Sequence, residues 1–111
     1  MTYKIDGMST SIAPIDVHWI PQKVGTDHNG APIYSIYYNV SMSFDVSVPT
    51  SATDWLNAAS SGGSHSLTIP QKWSNASFVT YSPVFLELLE APNYEVVNLT
   101  PFRIMASRVV A

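Results

Sequence analysis

A chain of 111 residues can enclose one hydrophobic core and is too short for two ordinary ones, so a single domain over 1-111 is expected. Its 46% hydrophobic and 12% charged residues lie far from the composition of disordered chains. The net charge of -3 comes from acids and bases scattered along the chain, which excludes the clustered cations that nucleic acid or an anionic membrane surface requires. There is no cysteine, so neither disulfides nor thiolate metal sites are available.

Met1 to Gly7 carry no apolar signal-peptide core, and no stretch approaches the roughly 18 apolar residues of a membrane span. A cytoplasmic or virion location is therefore expected. Next, Ile15, Val17 and Trp19 alternate with Asp16 and His18, which is the period of a strand with one dry face. Asp27-His28-Asn29-Gly30 holds the Asn-Gly pair favoured in two-residue hairpin turns. From Ile36 to Val48 apolar and polar residues alternate without a break, a strand long enough to bend, cross between sheets or project beyond the body. Closing the hairpin with Asn29 and Gly30 as the loop sets Trp19 opposite Val40, Val17 opposite Met42 and Ile15 opposite Phe44. Pro21 cannot donate to a ladder, so the first strand should be an edge or bulged there.

After Pro49, Ser51-Ala52-Thr53-Asp54 has the spacing of a capped helix start, and a short helix is predicted through about Ala59. Ser60-Ser61-Gly62-Gly63-Ser64 reads as a mobile loop. Shorter strands are expected near Ser66 to Ile69, Ser77 to Tyr81, Tyr94 to Leu99 and Phe102 to Val110, punctuated by Pro70, Pro83, Pro92 and Pro101. The stretch Val84 to Glu90 fits either a helix or a strand, with the strand favoured. The last segment is apolar on both faces and reads as a buried central strand. Ile20-Pro21-Gln22-Lys23 recurs as Ile69-Pro70-Gln71-Lys72, but the flanks do not align and no repeat architecture follows.

The architecture that results is all-β: a sandwich or partly closed barrel of six to eight mainly antiparallel strands, with a long hairpin and one short helix. No catalytic constellation, metal site or cofactor cradle stands out. His18, His28 and His65 lack the spacing of paired ligands and read as a wet-face, a turn and a loop residue. Gly62-Gly63-Ser64-His65-Ser66 is not a nucleophile elbow. Glu87, Glu90 and Glu95 read as solvating charges.

Aromatic residues are the remaining feature. Tyr34, Tyr37 and Trp73 fall where a strand shows its outer face or a loop begins, and are the candidate interaction surface. The expectation is a non-enzymatic structural or assembly protein, of the type of a small bacteriophage virion component (capsid decoration, neck or tail protein). It would bind itself as a homo-oligomer and other structural proteins, with no nucleic acid, membrane or cofactor. The alternative is a carbohydrate-binding β-sandwich module or lectin using the exposed aromatics.

Overall fold

A computed structural model describes residues 2–45, 52–74, 77–90 and 102–110. Among them are seven strands and one helix: β1 (Lys4–Ile5), β2 (Met8–Ser9), β3 (Asp16–Thr26), β4 (Pro32–Phe44), α1 (Thr53–Ser61), β5 (Ser64–Pro70), β6 (Phe78–Glu90) and β7 (Phe102–Val110). All pairings are antiparallel, in one open sheet of order β2-β1-β5-β6-β7-β4-β3. The sheet coils over its concave face like a sandwich without closing, so that Trp19 on edge strand β3 reaches Tyr81 on β6 with ring centroids 5.3 Å apart.

The alternation of β4 sets the core. Val40, Met42 and Phe44 are fully buried on the concave side, beside Phe102, Ile104, Ala106 and Val109 of β7 and Leu67 and Ile69 of β5. Val46 and Val48, the predicted continuation of this strand, lie outside the described residues. Strand β7 is central as expected, but only one of its faces is dry: Arg103, Arg108 and Val110 are exposed. A bulge keeps its last apolar residue inside. Val40 pairs with Ala106 and Tyr38 with Val109, so β7 spends one extra residue there, and Arg108 adopts a left-handed φ of 60° that lets Val109 point inward.

Trp19↔Val40 and Val17↔Met42 pair as the sequence predicts. The turn that produces this register is different. Gly30 N–H bonds to the Asp27 carbonyl (3.1 Å), Asp27 N–H to the Ala31 carbonyl (2.9 Å), and Gly30 has φ 88°, so the loop is the three-residue kind with glycine at the left-handed position. Register shifts between Pro21 and Lys23 and between Lys23 and Gly25 restore the pairing that the longer loop displaces. Pro21 thus sits on an edge strand beside a bulge, where its missing N–H costs least. Ile15 does not join the dry stripe: its N–H bonds to the Ser43 carbonyl, but it precedes β3 and its side chain is exposed.

The helix begins at Thr53 with Ala52 as its N-cap and no side-chain cap bond; Ser51, the predicted cap, is outside the described residues. It extends two residues past the predicted end. Trp55 is fully buried against Phe44 (4.8 Å between centroids) and donates from Nε1 to the Ile12 carbonyl (2.9 Å), while Asp54 accepts from Ser11 N–H (2.8 Å). Helix and N-terminal loop therefore close one end of the concave face together.

Two further expectations change. The Ser60–Ser64 stretch is not one loop: Ser60 and Ser61 end the helix, Gly62 and Gly63 turn with φ near 73° and 72°, and Ser64 opens β5. Pro83 does not end a strand either. Residues 84–90 are extended and continuous with 78–81, because Pro83 lies in a bulge opposite the step from His65 to Leu67, where no ladder donor is required. The predicted strand Tyr94 to Leu99 falls outside the described residues.

Candidate functional site

The molecule measures 55 × 28 × 27 Å. A strand of 13 residues extends about 43 Å, so β4 must run along the long axis, and at one end it leaves the body. It does so beyond Tyr37, whose partner Val110 is the last paired residue of β7. From there to the turn, residues 22–36 form a two-stranded arm, and among the described residues β4 has no neighbour there except β3. The arm is apolar and wet at once: Val24 is 66% and Ile36 68% exposed, with Ile33 and Tyr34 also exposed. Between Ile20 and Tyr37 the charged residues are Lys23 and Asp27, which cancel. Asp27 is committed to the turn, its Oδ1 accepting from Asn29 N–H (2.8 Å) and Ala31 N–H (3.0 Å).

The three predicted surface aromatics do not form one patch. Tyr34 is exposed on the arm. Tyr37 is half-buried at the root of the arm, with the Arg108 guanidinium 4.4 Å from its ring centroid. Tyr38 packs on Trp19 on the concave side, and strand alternation sends its neighbour Tyr37 to the other face. Trp73 belongs to the concave side, because Lys72 next to it donates to the Tyr38 hydroxyl (3.0 Å).

Trp73 is 70% exposed and holds φ 60° in the turn closed by Ser74 N–H on the Gln71 carbonyl (2.9 Å). It borders an open cleft of about 730 Å³ that includes Tyr3, Trp19, Asp16 and His18. Asp16 Oδ2 and His18 Nε2 are 2.9 Å apart and well exposed, as the wet-face reading of His18 requires. His28 lies in the turn as expected.

His65 is not a loop residue. It stands on β5 with its side chain only 10% exposed, and its Nδ1 lies 2.9 Å from Asp6 Oδ2. Asp6 occupies the turn between β1 and β2, where Asp6 (φ 51°) and Gly7 (φ 82°) form a two-residue loop. Its other oxygen accepts from Ser66 N–H (2.9 Å). The hydrogen bond from His65, then that from Ser66, hold the Asp6 carboxyl below its ordinary value. On the far side of the ring, His65 Nε2 is 3.3 Å from Ser61 Oγ at the end of α1. An apolar cleft of about 340 Å³ lined by Ile5, Met8 and Ala58 opens onto Ser61 and His65. Sequence reading missed this cluster because Asp6 and His65 are 59 positions apart. The one local signal was the Asp6-Gly7 pair, which announces a hairpin and not its partner.

Among the described residues no three His, Asp or Glu side chains gather to hold a metal, and no helix is long and apolar enough to cross a membrane. Comparison with protein families, with characterised proteins and with solved structures gives no match.

Proposed function

We propose that this chain is a structural or assembly protein that works through repeated contacts between subunits, as a small bacteriophage virion component such as a capsid decoration, neck or tail protein does. The observation that carries the reading is the arm. A two-stranded ribbon standing in water is marginal by itself, and exposing Val24, Ile33, Tyr34 and Ile36 on it is unfavourable until a partner covers them. The partner best matched is a second copy. The backbone edge of β4 at residues 32–36, unpaired among the described residues, can pair antiparallel with its own twin about a two-fold axis, and the stretch carries no charge to oppose the approach.

Sedimentation velocity tests this. The wild type should sediment as a dimer or larger, and an Ile33→Ser, Ile36→Ser double variant should sediment as a monomer with an unchanged melt. A wild type that stays monomeric at every concentration would reject it.

The cleft beside Trp73 favours a second reading, a carbohydrate-binding module. An exposed indole lines the same cleft as a carboxylate and an imidazole, the usual pairing of a stacking platform with polar groups. Under this reading neutral oligosaccharides quench Trp73 fluorescence while the Ile33, Ile36 variant binds them undiminished.

A further inference from the structure

We infer that Ser61, His65 and Asp6 form a nucleophilic acyl-transfer site that hydrolyses esters of short apolar acids, with the cleft between β1–β2 and α1 receiving the acyl group. This goes beyond assembly and uses different residues.

An ionised Asp6 can only accept, so the 2.9 Å contact places a proton on His65 Nδ1. In the neutral ring Nε2 is the remaining acceptor, and it lies 3.3 Å from Ser61 Oγ. Nucleophile, base and orienting carboxylate thus stand in the order that activates a serine, with spacings within the reach of such sites before substrate binds. Asp6 is itself held by Ser66 N–H and by its hairpin, so the imidazole cannot swing freely.

The second observation is room for a substrate. The cleft that touches Ser61 and His65 is walled by Ile5, Met8 and Ala58, so an acyl chain finds apolar surface beside the hydroxyl. The hydroxyl also lies 3.1 Å from the Ala58 carbonyl, and rotation about Cα–Cβ and Cβ–Oγ moves its proton between that acceptor and His65. Ser61 ends a helix, where carbonyl partial charges disfavour a bare alkoxide. Proton transfer must therefore accompany attack.

In the reaction Ser61 Oγ bonds to the ester carbonyl carbon as its proton passes to His65 Nε2. The bond from that carbon to the alcohol oxygen then breaks, and the leaving oxygen takes the proton from Nε2. Water repeats the sequence on the acyl-serine, giving up its proton to His65, and releases the carboxylic acid with Ser61 restored. Ser61 and His65 are the catalytic residues and Asp6 a positioning residue.

The test uses the full chain with p-nitrophenyl butyrate and a fluorophosphonate probe. Peptide mapping should place the phosphonyl adduct on Ser61. Ester turnover should vanish in Ser61→Ala and fall by roughly 10²-fold or more in His65→Gln, the range general-base catalysis supplies. Asp6→Asn should lower kcat with KM unchanged. Circular dichroism confirms that each variant folds, and Ser61→Ala removes only an exposed hydroxyl. Absence of labelling, labelling spread over other serines, or turnover equal in wild type and Ser61→Ala would each overturn the site without touching the assembly reading.

Discussion

Phe44 and Phe102 are direct cross-strand partners whose rings stack 4.8 Å apart with their planes only 7° from parallel. Each is fully buried, and Trp55 of the helix packs on Phe44 at a tilt of 54°. The strand pair β4–β7 and the helix are thus joined through one aromatic stack. Phe44→Ala is expected to cost about 3 to 5 kcal/mol, since it leaves a cavity bounded by two large rings that cannot collapse into it. A denaturant melt showing a loss under about 1 kcal/mol would refute the assigned face.

Gly30 carries the hairpin loop in a conformation that side chains resist. A Cβ there would meet nothing within 4 Å, so its penalty is purely conformational. Gly30→Ala should lose roughly 1 to 2 kcal/mol and Gly30→Asn clearly less, because asparagine tolerates the left-handed region. Equal stability of all three proteins in urea would show that the loop had rearranged.

Acid should loosen the β1–β2 hairpin. Asp6 titrates below the ordinary 3.8 because its charged form accepts from His65 and Ser66. The stabilisation is thus complete above the unfolded-state value and is lost as pH falls through the lowered folded-state value. Asp6→Asn should therefore be less stable than wild type near about pH 6 and nearly equal to it near about pH 2. Melting curves that stay separated by the same amount at both pH values would contradict the linkage.

The legible part of the fold was what strand periodicity and turn chemistry encode. Val40, Met42 and Phe44 advertised the dry face because a half-buried strand repeats every two residues. The register emerged correctly from a misread turn: the longer loop at Asp27–Ala31 and the irregular pairing at Lys23 displace the strands in opposite senses. What alternation could not tell is where the sheet stops. Ile36 obeys the same pattern as Val40 and is exposed, because the pairing of β4 with β7 stops at Tyr37 and Val110 and, among the described residues, only β3 flanks β4 beyond that point. Gly62 and Gly63 looked flexible by composition, whereas their left-handed φ values make a tight helix-to-strand corner. The Asp6–His65 contact was invisible, since it depends on β1 lying beside β5.

The two margins of the sheet are unequal in length. Among the described residues one is β2, two residues long; the other is β3, eleven residues long, whose last five residues belong to the arm. A fibre grows by adding strands at both sides of every member, and a two-residue margin offers almost no ladder to extend. Copies that pair through the β4 edge of the arm use up that edge and stop at a closed pair, and the same asymmetry that leaves the arm adhesive keeps its adhesion finite.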